Sequence, residues 1–157
     1  MARAHFVKKA RRAYRAEGIK KGESYWWWKF KRGTKQRSKT QPRPSQLTQS
    51  EFWGAVYDLQ ERLDGLTESD GAESVRSEIE CIIDEIRSLG SDQLDKQGNM
   101  PESLQQSETG ELLENRATGC DDWADNVESA IGDIDGDCEN EAEALCNAVC
   151  AVEYEGE

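Results

Sequence analysis

The chain has 157 residues, a formal net charge of −12, 33% charged residues and 36% hydrophobic ones. Strong core formers are scarcer still: 10 Leu, 7 Ile, 6 Val and 3 Phe, or 26 of 157 residues, a supply that argues against a large enclosed active site, whose walls need buried apolar side chains. No apolar run is long enough to cross a bilayer, no apolar segment of signal-peptide type follows the basic start, and no nucleophile, metal or phosphate-loop motif is present; a membrane partner, an export route, an enzyme and a cofactor are all unexpected.

The charge is sharply divided. Residues 1–50 carry 15 Lys and Arg against Glu17 and Glu23, net +13, whereas residues 51–157 carry 5 against 30 acids, net −25. That asymmetry marks a basic module joined to an acidic body. The expected fold class is α+β, mainly α: a basic aromatic β unit over 1–41, a proline linker over 42–47, a helical body over 48–134, and an acidic tail with a short helix over 135–157.

In chain order, His5 to Tyr14 reads as a strand or a short helix, and Gly18 to Glu23, with two glycines, as a turn. Ser24 to Lys31 is the strongest strand signal, because Tyr25, Trp26, Trp27, Trp28 and Phe30 all favour a pleated surface. Arg32-Gly33-Thr34 then closes a hairpin onto Lys35 to Thr40, with Gly33 in a left-handed conformation. Alternation puts Trp26, Trp28 and Phe30 on one face and Tyr25, Trp27 and Lys29 on the other, so at least one aromatic face is left outside a core.

Lys29, Lys31, Arg32, Lys35, Arg37 and Lys39 surround the aromatics Tyr25, Trp26, Trp27 and Trp28. Cations attract phosphates and flat rings accept bases, which makes nucleic acid the expected partner of these ten residues. A solvated basic strand over core tryptophans, or a patch for an acidic protein, is the alternative. His5 is expected to be a strand residue rather than a catalyst.

Beyond Pro42 and Pro44, Thr48-Gln49-Ser50-Glu51 reads as a capping box opening a helix with apolar positions Phe52, Val56, Leu59, Leu63 and Leu66. A turn over 67–71 leads to a second helix with Val75, Ile79, Ile82, Ile86 and Leu89, ending at Gly90, and the two form a helical hairpin. Residues 91–112 read as a polar loop, with Asn99 as cap and Pro101 in the first turn of a third helix that carries Leu113, Ala117, Cys120, Ala124, Val127, Ile131 and Ile134. The heptad spacing and narrow seams predict coiled-coil-like association into a homodimer. A last apolar turn runs through Leu145, Val149 and Val152.

Five cysteines without a CxxC pair point to reduced thiols in a cytoplasmic setting. Cys138, Cys146 and Cys150 offer three thiolates to zinc but lack an evident fourth ligand, so packing is the favoured role. Residues 133–138, Asp-Ile-Asp-Gly-Asp-Cys, share alternating oxygens with a calcium loop, yet Cys138 stands where that loop needs glycine and Ala144 where it needs glutamate.

Two stretches, Lys20-Lys21-Gly22-Glu23-Ser24-Tyr25-Trp26-Trp27-Trp28-Lys29-Phe30 and Ser38-Lys39-Thr40-Gln41-Pro42-Arg43-Pro44-Ser45-Gln46-Leu47-Thr48, resemble those of small tailed-bacteriophage proteins. The resemblance implies a phage setting, in the host-cell cytoplasm or the virion, and carries no activity with it. The aromatic hairpin also looks like the arm-binding three-stranded modules of phage integrases. The sequence therefore leads to a non-enzymatic accessory protein that binds nucleic acid through its basic aromatic unit. The alternative is a protein-interaction factor, such as a host-factor inhibitor, a DNA mimic or a virion component, acting through acidic helices.

Overall fold

Four bulky aromatics and a lysine form the central strand of the N-terminal sheet in the computed structural model, which describes residues 1–132, 134 and 140–156. This strand, β2 (Tyr25–Lys29), lies between β1 (His5–Val7) and β3 (Lys35–Ser38), antiparallel to both. The register sets His5 opposite Trp27 and Phe6 opposite Trp26 on one side, and Trp26 opposite Ser38 and Lys29 opposite Lys35 on the other. Only three residues of the segment from His5 to Tyr14 are strand. The chain then folds back through a bridge between Tyr14 and Ile19, with Gly18 and Gly22 at φ +67° and +93°, where a side chain would be strained.

The hairpin differs from expectation at Gly33, which is not left-handed. Its N–H donates to the Phe30 carbonyl at 3.2 Å, so the turn starts at Phe30, and closure of this kind needs no positive φ. The proline segment also differs from a linker. Pro42 is buried, Pro44–Leu47 is a 3-10 turn, and the Ala2 N–H donates to the Leu47 carbonyl at 2.7 Å.

The chain divides into two units, Met1–Tyr57 and Asp58–Glu157, and the division falls inside helix α1 (Glu51–Asp64). Ser50 rather than Thr48 caps this helix: its Oγ accepts from the Trp53 N–H at 3.4 Å, while the Thr48 hydroxyl accepts from the Ser50 N–H one step earlier.

The second unit is helical: α2 (Ala72–Gly98), a single turn α3 (Glu102–Gln105), α4 (Glu108–Gly132) and α5 (Glu141–Cys150). The principal pair is α2 with α4 rather than α1 with α2. They run antiparallel, since Arg87 reaches Asp125 and Glu128 while Gln97 reaches Gly110 and Glu114. Val75, Ile79, Ile82, Ile83 and Ile86 are buried with Leu113, Ala117, Cys120, Ala124, Val127 and Ile131. The seam residues that argue for a dimer in the sequence are thus buried within a single chain.

Gly90 does not end α2. It lies in the helix interior, where an added Cβ would stand 3.1 Å from the Cys120 Cβ and 3.3 Å from the Ala117 carbonyl oxygen. The glycine and the small residues facing it let the two backbones approach closely, and the helix continues for eight residues past it to Gly98. Its last turns bury Gln93, which donates to the Leu89 carbonyl at 3.3 Å; a buried glutamine leaves no apolar period to read. The expected loop therefore shrinks to the residues around Asn99 and Pro101, where Asn99 ends α2 and Pro101 precedes α3. Gln105 fastens this corner by donating to the Met100 carbonyl at 2.9 Å.

The C-terminal segment belongs to the core. Leu145 and Val149 of α5 are fully buried, and Arg76 of α2 pairs with Glu141 at 2.6 Å. Trp123, buried although its position lay outside the expected seam, meets Tyr154 edge to face at 5.8 Å. Gly119 makes room for that tyrosine, whose hydroxyl a Cβ there would crowd at 2.8 Å. Burial pushes the Tyr154 phenol up to about 12 and the Cys120 thiol up to about 11. The calcium-like residues Asp133, Asp135, Gly136 and Asp137, together with Cys138, lie outside the described residues, and among the described residues no three potential ligands gather.

Two measurements test this packing. Gly90→Val forces a branched side chain between α2 and α4 and lowers stability by about 1–3 kcal/mol, against about 2–5 kcal/mol for the cavity left by Ile82→Ala; urea denaturation followed by circular dichroism reads both.

The second concerns Arg62, whose guanidinium holds Glu85 at 2.6 Å and Glu78 at 2.7 Å and keeps the Glu85 carboxyl below the ordinary glutamate value. That contribution is complete above the unfolded pKa, about 4.3, and is lost as pH falls through the lower folded value. Glu85→Gln consequently shrinks the drop in urea midpoint between about pH 6 and pH 3.

Candidate nucleic-acid interface

The sheet sorts the expected site residues into core, structural ion pairs and accessible surface. Tyr25 is buried with Ala10 and Ile19, against which Val7, Tyr14 and Trp27 pack. This face of β2 is the core of the small β unit. Trp27 is half-buried and its ring is occupied: His5 stacks on it at 4.5 Å and 19°, and the Lys35 ammonium lies 3.4 Å from its centroid. Arg37 also turns to structure, donating to Glu17 at 2.9 Å and covering the Tyr14 ring at 4.2 Å.

On the opposite face Trp28 is only 6% exposed, and its indole N–H is buried without a hydrogen-bond partner. Tyr25 and Trp28 therefore belong to the interior and are not available to stack on bases. Trp26 is half-buried, and beside it stands Phe6 of β1, 51% exposed, with ring centroids 5.0 Å apart and planes inclined by 48°. The register continues this row across the sheet to Ser38 of β3, whose hydroxyl lies 3.1 Å from that of Thr40.

Phe6 is absent from the expected set because a three-residue strand gives too short a period to assign it a face. It becomes visible once β1 is paired with β2 in register. Lys8 follows β1 and Lys39 follows β3 at this end of the sheet, and both are exposed. Lys39 also pairs with Glu23 at 3.5 Å, and the Lys20 N–H, followed by Lys39, lowers the Glu23 carboxyl below its ordinary value. The exposed Lys29, Lys31, Arg32 and Lys35 cluster at the other end, around the β2–β3 turn, with Lys29 and its partner Lys35 roughly 10 Å from Trp26 along the strand.

The first unit holds 15 Lys and Arg against Glu17, Glu23 and Glu51, a net charge of +12, and two of these three acids are in ion pairs. The arrangement offers a small aromatic surface with cations at both ends of the sheet.

Substitution separates core from surface. Trp28→Ala costs about 3–5 kcal/mol and abolishes the near-ultraviolet signal of the β unit, whereas Phe6→Ala leaves the melting profile close to that of the parent chain. No family model, no curated protein and no solved structure matches this chain, so the site is read from its own geometry.

Proposed function

We propose that this protein binds nucleic acid without chemical catalysis, through the sheet face that carries Phe6 and Trp26, as an accessory factor in a phage setting. The observation that carries the reading is the accessible Phe6–Trp26 pair, centroids 5.0 Å apart, on a unit of net charge +12. Large apolar rings left outside a core in a small unit mark a binding surface, and a surrounding positive field selects a polyanion. Lys8, exposed just past β1, takes the phosphate nearest the rings, and Lys31 and Arg32 in the β2–β3 turn take those further along, whereas Lys29 and Lys35 lie on the Tyr25–Trp27 face and Lys39 is held by Glu23. Arg37 and Trp27 hold the sheet together and contact the ligand little.

The acidic helical unit supports a second reading, a protein-binding role. It carries 29 acids against 5 Lys and Arg, net −24, and Arg62, Arg76 and Arg87 are already engaged in ion pairs. Such a surface suits a basic partner, including a protein that would otherwise hold DNA.

Anisotropy titration of the full chain with a labelled oligonucleotide tests the nucleic-acid reading. Binding is expected at about 50 mM salt, with log K falling linearly against log salt, and the pair Lys8→Ala and Arg32→Ala reduces the slope by roughly 1–2. No binding at low salt, or binding that ignores salt, sinks the nucleic-acid reading and leaves the acidic helices as the working surface.

A further inference from the structure

We infer that the ligand of the Phe6–Trp26 face is an unpaired strand, with two neighbouring bases each laid on one ring; this rests on the nucleic-acid reading above and narrows it to single-stranded DNA or RNA. The geometry of the two rings is the reason. Their planes differ by 48° and their centroids are 5.0 Å apart, whereas successive bases in a helix are parallel and rise about 3.4 Å. Two bases that each lie flat on one of these rings must tilt apart from one another, which breaks their mutual stacking. An unpaired strand can splay its bases; a duplex can do so only by unstacking a step.

The surroundings point the same way. The row Phe6, Trp26, Ser38 supplies two apolar rings and one hydroxyl, whereas a β-ribbon that reads the major groove needs polar side chains reaching for base edges. Gln36, opposite Trp28, is the next polar residue in register on this face. Phosphate contacts are available from Lys8 at the platform end and from Lys31 and Arg32 at the β2–β3 turn, so a strand crossing the sheet would keep its backbone toward the cations and its bases on the rings.

A duplex could use this face in one way, by admitting Phe6 as a wedge between base steps, which would bend the helix. That mode predicts tight duplex binding with bending, and it is distinguishable from the one inferred here.

The test is a four-way comparison with the full chain at one salt concentration: a labelled oligothymidylate, an oligouridylate of equal length, a mixed-sequence duplex, and a strand of the same length with abasic sites. Both single strands should bind more tightly than the duplex. The abasic strand, which keeps the phosphates and lacks the rings' partners, should bind about as weakly as Trp26→Leu or Phe6→Ala binds the oligothymidylate, a loss of roughly 5- to 150-fold. Phe6→Ala removes a half-exposed side chain, so it reads the ring even if Trp26→Leu disturbs the sheet.

Equal affinity for the abasic strand overturns the inference, as does duplex binding that is tighter than strand binding and accompanied by bending; in both cases nucleic-acid binding itself still stands. Failure of all four to bind overturns the broader reading as well.

Discussion

Alternation along β2 divides a run of consecutive aromatic side chains between two faces of a sheet only three strands wide. A unit of 57 residues that carries 15 cations has too little apolar material to cover both faces completely. One face is closed by the unit's own chain, through Ala10, Tyr14 and Ile19. The other buries Trp28 and leaves Trp26 half-covered, with Phe6 beside it. The accessible rings follow from this shortage, and so does the use of cations as covering groups: Lys35 lies over Trp27 and Arg37 over Tyr14, each placing a charged group against an aromatic face while remaining near water.

The same economy runs through the helical unit in another form. With few large residues available, α2 and α4 approach closely where Gly90 faces Ala117 and Cys120, and Trp123 of α4 packs edge to face on Tyr154 from beyond α5. Close approach raises the contact density obtained from small side chains. Surface charge is handled by arginines that each bridge two acids, Arg62 to Glu78 and Glu85, and Arg87 to Asp125 and Glu128. In a unit this acidic, each such arginine relieves repulsion between carboxylates on one helix or between helices.

The two units therefore present opposite fields, +12 against −24, on surfaces of different kinds. The basic unit joins charge to accessible rings, a combination that suits a flexible polyanion with flat bases. The acidic unit joins charge to helices that bury most of their large apolar residues, with Leu94 and Leu104 left exposed.

Local physical chemistry was enough to read the existence of β2, the helical nature of the second half, and most of the buried seam from Val75 to Ile131, since period and side-chain type decide these within a few turns. The same residues could not show that α2 runs past Gly90, because a glycine that ends a helix and a glycine that admits a neighbouring helix look identical until Ala117 and Cys120 are seen facing it. Nor could they separate Trp26 from Trp28, or Arg37 from Lys31. Alternation assigns a face, but which part of that face is covered, and which cation finds a carboxylate partner such as Glu17, depends on residues distant in sequence. Phe6 joined the candidate site for that reason: its position beside Trp26 is a property of strand pairing, and pairing register is fixed by the whole sheet rather than by any one strand.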